Sequence, residues 1–316
     1  HPLLTEYVIK LLGKHRVTTV YSFVRIDSGH IAKIVNLPPI AIVTIKAHLT
    51  NLFVGPIPTA ASFAERPPIA TGITELDALL KGGLRPGHVY ELCGDSCTGK
   101  TQLCHTLAAN VAFEKSNRPV YFVDTKCAFS AIKIQQILER RHKDLPERRL
   151  AQALENIKLE RVFNPELLVQ AIERLAKGQR AQDDPAPNLL IINSLPSLWY
   201  LLHGAKSSFQ WFGLLTKLIL ALRQFASQHS VAVVLVNLAV RAPEKANERK
   251  KRKVHSSGSC AALGRYWESA PGTRLLMLPG KKKATETGER IVEVWKSTHL
   301  RTGTRKVLRI TDAGVI

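Results

Sequence analysis

The stretch GDSCTGKT, residues 94–101, constrains the fold of this chain more than any other feature of its sequence. The apolar run HVYELC at 88–93 comes directly before it and predicts a β-strand. A helix is predicted directly after it, because Leu103, Leu107 and Val111 lie on one side of a helical repeat. The pattern Gly-x-x-x-x-Gly-Lys-Thr between a strand and a helix is typical of a phosphate-binding loop. The sequence therefore predicts an α/β protein that binds a phosphate-bearing ligand.

Each part of this loop has an expected task. The glycines allow backbone N–H groups to turn towards the β-phosphate, and the start of the helix adds partial positive charge. We expect Lys100 to reach the β- and γ-phosphates and Thr101 to place its hydroxyl on Mg²⁺. The expected cofactors are therefore ATP and Mg²⁺, and the expected nucleotide-binding residues are Gly94, Asp95, Ser96, Cys97, Thr98, Gly99, Lys100, Thr101 and Gln102.

Strands and helices alternate along most of the remaining chain. A long helix is predicted at about 208–228. Alternation of this kind is typical of a mostly parallel, twisted sheet with helices on both faces. The further predicted strands are 119–124, 157–163, 188–193, 231–237, 273–278, 290–297 and 306–311.

The chain divides into three predicted parts. Residues 1–53 form a small helical domain, and residues 54–72 form a linker rich in proline and glycine. The core domain follows at 73–316. Phe63 in the linker has two interpretations that we weigh equally: an anchor for a neighbouring subunit, or a residue that folds back on its own domain.

Charge and cysteine content narrow the function. Lys and Arg number 45 against 25 Asp and Glu, a formal net charge of +20, which favours a nucleic-acid partner over a merely solvated basic surface. Five cysteines without a Cys-x-x-Cys pair indicate free thiols in a reducing compartment. No apolar run reaches the roughly 18 residues of a membrane helix, so no membrane partner is expected.

A run of basic residues follows the predicted strand at 231–237. Three interpretations stay open: contact with DNA phosphates, a nuclear import signal, or a solvated loop, and the first two are compatible. The run consists of Arg249, Lys250, Lys251, Arg252 and Lys253, which are the expected DNA-binding residues.

Two positions beside the predicted phosphate site lack the carboxylates that hydrolysis requires. The apolar strand 188–193 ends in Asn193, where an aspartate is expected to hold the Mg²⁺ shell; an asparagine holds it weakly, and it fits equally well as the polar end of a core strand. After Asp124, Lys126 occupies a position where a general base could lie, and a protonated lysine does not accept a proton from water. Both departures argue against fast turnover and leave nucleotide binding intact.

Several segments together resemble the eukaryotic and archaeal RecA-type recombinases of homologous recombination. The phosphate loop is shared by many ATPases, whereas two features are more specific: the GKTQ extension at 99–102, and the ALGR segment, which is AALGRYWESAPGTRLLML at 261–278. The ALGR segment and the N-terminal LTEYVIKLLGKHRVTTV resemble the D-type paralogue of the eukaryotic recombinase. The other resembling segments are GITELDALLKGGLRPGHVYELCG, VYFVDTKCAF, LLIINSLPSL and VVLVNLAV, so that the resemblance covers nearly the whole chain.

The resemblance implies a RecA-like P-loop ATPase core with a small N-terminal helical domain, and it implies roles for individual residues. Lys126 falls on the catalytic glutamate of the family, Asn193 on its Mg²⁺-associated aspartate, and Leu238 on its γ-phosphate-sensing glutamine; Asn237 matches the asparagine before that glutamine.

Together with these changes, the resemblance implies a nuclear, ATP-binding subunit with weak or no hydrolysis of its own. Such a subunit would act in a complex with other recombinase paralogues and help to load or stabilise the recombinase on single-stranded DNA. An active DNA-dependent ATPase that exchanges strands itself is the alternative, and a nucleotide kinase or helicase on the same scaffold is the third hypothesis.

Overall fold

The structure is a computed structural model, and the chain forms two compact units, His1–Glu65 and Arg66–Ile316. For residues 51–53, 208–212 and 265–266 it describes the backbone alone. The described residues are 2–53, 66–114, 118–177, 185–200, 208–241, 258–280 and 288–316.

The first unit is helical, as the sequence predicts. Local side chains begin its helices: Thr5 accepts the backbone N–H of Val8 at 3.4 Å, and Asp27 accepts that of His30 at 2.9 Å. Its helices are α1 (Glu6–Lys14), α2 (Val20–Arg25), α3 (Ser28–Val35) and α4 (Pro39–Phe53). They enclose a separate small core of Val8, Leu12, Val17, Phe23, Ile31, Ala32, Val35, Ile42 and Ile45.

The second unit contains the sheet. Its helices are α5 (Thr74–Leu80), α6 (Lys100–Glu114), α7 (Ala131–Arg141), α8 (Glu147–Glu155), α9 (Pro165–Ala176), α10 (Leu195–Trp199), α11 (Ser208–His229) and α12 (Gly264–Glu268). Its strands are β1 (Val89–Gly94), β2 (Val120–Asp124), β3 (Ile157–Arg161), β4 (Leu189–Asn193), β5 (Ala232–Val236), β6 (Ala239–Arg241), β7 (Ser259–Ala261), β8 (Thr273–Pro279), β9 (Glu289–Ser297), β10 (Arg305–Thr311) and β11 (Gly314–Val315).

Nine of these strands form one twisted sheet in the order β11-β10-β9-β8-β1-β5-β4-β2-β3. The six strands from β8 to β3 are parallel, and β9, β10 and β11 return antiparallel at one edge. Every strand that the sequence predicts is present, so the predicted α/β class is confirmed. Strands β6, β7 and β11 were not predicted, because each has only two or three residues and no apolar pattern of its own.

Both faces of the sheet are buried at its central strands. Leu189 and Ile191 of β4 pack into a cluster with α6, whereas Leu190 and Ile192 pack into a second cluster with α9 and α11. This alternation explains the continuous apolar run of β4, since a central parallel strand is covered on both sides. The carboxyl ends of the parallel strands then meet at one edge, where a ligand site of an open α/β sheet is expected.

The last part of the predicted linker belongs to the core unit. Ile69 and Leu84 exchange two backbone hydrogen bonds of 2.8 Å, and Thr71 is fully buried. The Asn110 side chain donates to the Thr71 carbonyl at 2.7 Å. Residues 66–72 are therefore held by the core, and the boundary lies earlier than the composition suggests. Phe63 lies outside the described residues.

Among the described residues, no single helix has both the length and the apolar composition to cross a membrane. One bent pair, Ser28–Val35 with Pro39–Thr50, satisfies that criterion only when its two helices are taken together across an angle of 111°.

Candidate nucleotide-binding site

The phosphate loop lies between β1 and α6, as predicted, and its glycines are required by close packing. Gly99 has a φ of +96°, and a Cβ atom there would lie 2.3 Å from Cδ1 of Ile310. A Cβ atom at Gly94 would lie 2.5 Å from the carbonyl oxygen of Met277. Only glycine fits both positions, so the loop backbone can turn inward between β8 and β10.

The Lys100 side chain lies inside this loop and is 7% exposed. Its Nζ donates to the carbonyl oxygens of Gly94 at 2.8 Å and Asp95 at 2.6 Å, and contacts Oγ1 of Thr98 at 3.3 Å. Burial lowers the pKa of the Lys100 ammonium, and the positive charge of Lys126 lowers that pKa further. Lys100 is thus a shielded cation at the point where phosphate oxygens would arrive.

The loop opens into a cavity of about 560 Å³. Six of the nine predicted nucleotide-binding residues line it, whereas Gly94, Asp95 and Thr98 shape the loop through its backbone and the contacts of Lys100. Three cations line the cavity, and no Asp or Glu is among its described lining residues. The residues that line the cavity are Ser96, Cys97, Gly99, Lys100, Thr101, Gln102, Lys126, Ser194, Val236, Leu238, Arg290 and Ile310.

Arg290 and Ile310 were not predicted from the sequence. They come from β9 and β10, which reach the phosphate loop only through the antiparallel return at the sheet edge. Nε of Arg290 is shielded from solvent and has no hydrogen-bond partner in the described part of the chain, while one terminal guanidinium nitrogen donates to the Glu289 carbonyl at 2.7 Å.

The turn after β2 places Lys126 at this cavity. Asp124 is fully buried, and its carboxylate accepts the backbone N–H groups of Lys126 at 3.2 Å, Ala128 at 3.1 Å and Phe129 at 2.8 Å. Cys127 completes the turn with a φ of +55°. Asp124 therefore fixes the backbone, and the exposed Lys126 side chain is the charged group that this turn presents to the cavity.

Asn193 lies at the end of β4, opposite Asp124 in the strand register, and it is fully buried. The Thr101 hydroxyl donates to its Oδ1 at 3.4 Å. Its Nδ2 has no hydrogen-bond partner among the described residues. The structure thus brings together Thr101 and Asn193, the two residues to which the sequence assigns Mg²⁺.

Thr101 and Asn193 are poor candidate ligands for Mg²⁺. Magnesium in nucleotide sites is normally held by at least one carboxylate, and Thr101 and Asn193 supply a neutral hydroxyl and a neutral amide. The nearby carboxylate, Asp124, is committed to three amides. The described residues also contain no cluster of three or more His, Cys, Asp or Glu side chains suited to a metal.

Leu238 follows β5 and presents an apolar side chain to the cavity, where the resemblance implies a phosphate-sensing glutamine. Its backbone N–H donates to Oδ1 of Asn237 at 2.7 Å, and its carbonyl accepts the N–H of Ala262 at 2.9 Å. Asn237 is buried and also contacts the Ala262 carbonyl at 3.2 Å. These contacts hold Leu238 in place, and its side chain offers no hydrogen bond to a phosphate.

A buried carboxylate connects these elements beneath the loop. Glu91 of β1 is fully buried and forms an ion pair with Nε of Arg274 on β8. It also accepts hydrogen bonds from Asn237 at 2.5 Å and from the indole of Trp267 at 2.6 Å. This network was not predicted from the sequence. Glu91 lies in the strand before the phosphate loop, Asn237 follows β5, and Trp267 and Arg274 lie in the ALGR segment.

The predicted DNA-binding run remains a prediction. Arg249, Lys250, Lys251, Arg252 and Lys253 all lie outside the described residues. The structure describes the ends of their segment, where β6 and β7 pair antiparallel with Ala239 opposite Ala261.

The sheet order and the loop at the end of β1 define this chain as a RecA-like core of the P-loop class. The sequence model of the Rad51 family matches residues 65–316. The chain belongs to the Rad51 family.

Individual relatives agree with this assignment. The chain is 29% identical to the DNA repair protein RAD51 homolog 4 of Mus musculus over 99% of this chain and 93% of that protein. It is 32% identical to the DNA repair protein RAD51 of Mycosarcoma maydis over 54% of this chain and 50% of that protein. The crystal structure of the RadB recombinase superposes with a TM-score of 0.59 at 20% identity, over 78% of this chain and 98% of that chain, and it shares the fold. The predicted resemblance to the D-type recombinase paralogue is confirmed.

Proposed function

We propose that this protein is an ATP-binding subunit with weak or no hydrolysis of its own, acting as an assembly or mediator subunit in homologous-recombination repair of DNA double-strand breaks. One observation carries the proposal. A complete phosphate loop opens into a cavity lined by Lys126 and Leu238, and Asn193 lies beside Thr101 of the loop. The resemblance to the recombinases implies that these three residues replace the catalytic glutamate, the sensing glutamine and the metal-associated aspartate, respectively. RecA-like ATPases generally bind ATP with Mg²⁺, so ATP is the expected ligand of the loop.

The side chains at the cavity support binding without turnover. Hydrolysis needs a group that accepts a proton from the attacking water. Lys126 is a cation, and the neighbouring Asp124 uses its carboxylate to hold three backbone amides. The alternative of an autonomous strand-exchange ATPase lacks a base among the described residues that line the cavity.

The relatives support the cellular role. Homology to the DNA repair protein RAD51 homolog 4 and to RAD51 supports a function in homologous-recombination repair. We further propose that the chain works in the nucleus, inside a complex with other recombinase paralogues, and binds single-stranded DNA. The net charge of +20 and the basic run at 249–253 favour such a polyanionic partner.

The test is to measure ATP affinity and steady-state hydrolysis of the purified chain, with and without single-stranded DNA, using Lys100→Ala as the blank. We expect ATP binding that Lys100→Ala abolishes, with turnover no higher than the blank. DNA-stimulated turnover that disappears in Lys100→Ala would refute the proposal and favour the active ATPase.

A further inference from the structure

The charge of the cavity is unusual for a nucleotide site that relies on a metal. Its charged lining residues are Lys100, Lys126 and Arg290, and no described carboxylate faces them. A divalent cation would enter this environment against three positive charges and with no anionic ligand from the described lining residues. A metal-free triphosphate, which carries more negative charge than its magnesium complex, would meet only attraction.

Lys126 is held so that it can supply the missing positive charge. The three hydrogen bonds to Asp124 fix the turn of residues 126–129, which positions the Lys126 backbone at the cavity rim. The side chain itself is exposed, and it is close enough to Lys100 to lower the pKa of that ammonium. Two like charges that repel each other across a cavity favour an anion between them.

Thr101 and Asn193 form a neutral pair where a metal would need an anionic ligand. The Thr101 hydroxyl donates to Oδ1 of Asn193 at 3.4 Å, so one of the two lone pairs of that amide oxygen is already used, and neither group carries a negative charge. Nδ2 of Asn193 is a buried donor with no partner among the described residues. A donor suits a phosphate oxygen or a water, whereas a metal requires an acceptor.

From these contacts we propose that the cavity binds the nucleoside triphosphate without Mg²⁺, and that the Lys126 ammonium takes the charge-neutralising position that a metal holds in active relatives. This inference rests on the proposed function, since it specifies how the same site holds its nucleotide.

The experiment measures ATP binding to the full chain by equilibrium dialysis, in excess MgCl₂ and separately in excess EDTA. For the wild type we expect dissociation constants in the two buffers that agree within about threefold. Lys126→Gln should weaken binding in EDTA by about tenfold or more, because one full charge is lost close to the phosphates. Lys126→Arg should keep the wild-type affinity, since the charge is retained.

Two further variants sharpen the test. Lys143→Gln removes the same charge from an exposed position that does not line the cavity, and it should leave both dissociation constants unchanged. The double variant Lys126→Glu with Asn193→Asp supplies carboxylates, and it should bind ATP more tightly in MgCl₂ than in EDTA.

The outcomes separate this inference from the proposed function. Wild-type binding in MgCl₂ but not in EDTA would overturn the inference and leave nucleotide binding standing. Unchanged metal-free binding in Lys126→Gln would overturn the role of Lys126. An affinity equal to that of Lys100→Ala in both buffers would overturn the proposed function and the inference with it.

Discussion

Replacing Glu91 by glutamine tests whether the buried network holds the core unit together. Glu91 and Arg274 are 0% and 6% exposed in their side chains, and glutamine has nearly the same shape as glutamate. The glutamine carbonyl would keep the hydrogen bonds from Asn237 and Trp267, but its amide nitrogen would face Nε of Arg274, donor against donor. The Arg274 guanidinium would then be a buried cation without an anion.

Breaking a buried ion pair in this way costs about 3–5 kcal/mol of unfolding free energy. Glu293 provides the matched control, since its carboxylate is 7% exposed but its partner Arg305 is 53% exposed, at 2.7 Å. Arg305 hydrates freely when the pair is lost, so Glu293→Gln should cost no more than about 1 kcal/mol.

The assay is urea unfolding followed by tryptophan fluorescence. The four tryptophans are Trp199, Trp211, Trp267 and Trp295, and all lie in the second unit, so the signal reports on that unit alone. Equal destabilisation by Glu91→Gln and Glu293→Gln would refute the reasoning. As a second check, adding Arg274→Met to Glu91→Gln should recover part of the loss, because the unpaired cation is removed.

Three other predictions concern titration, access and turnover. Burial lowers the pKa of His105 below its ordinary 6.5, so the unfolded chain binds the proton more readily than the folded chain. The stability that neutral His105 contributes is therefore full above pH 6.5 and declines as the pH falls below that value. His105→Gln should flatten this pH dependence of the unfolding free energy, measured by unfolding at a series of pH values. Cys97 and Cys127 are exposed thiols, and Cys97 lines the cavity. ATP should therefore slow the labelling of Cys97 by N-ethylmaleimide and leave the labelling of Cys127 unchanged. Equal labelling rates at Cys97 with and without ATP would place the nucleotide elsewhere. Lys126→Glu with Asn193→Asp should raise ATP turnover in Mg²⁺ by about a hundredfold, as a restored general base would, and no gain over wild type would contradict our account of the defect.

The sequence correctly predicts the features that depend on local residue patterns. The apolar runs identify each long strand, and the spacing of Gly94, Gly99 and Lys100 identifies the loop between β1 and α6. The order of strands along the chain also places Asn193 and Asp124 at the same edge, because parallel strands end together.

Three features that depend on contacts between distant segments were not predicted. Arg290 reaches the cavity because β9 returns antiparallel after β8, and nothing near it in the sequence indicates a ligand. Glu91 and Arg274 are 183 positions apart in the sequence, so no local pattern identifies them as partners. The buried segment at 66–72 has the composition of a linker and packs because Ile69 and Thr71 find partners in the core.

The strand pair β6–β7 has a consequence for the nucleotide cavity. Ala239 and Ala261 face each other, and Asn237 joins both sides by contacting Glu91 and Ala262. Both ends of the segment between them are therefore anchored to the strand that carries the phosphate loop. A change that separates β6 from β7 would therefore also weaken the contact between Asn237 and Glu91, on the strand that leads into the phosphate loop.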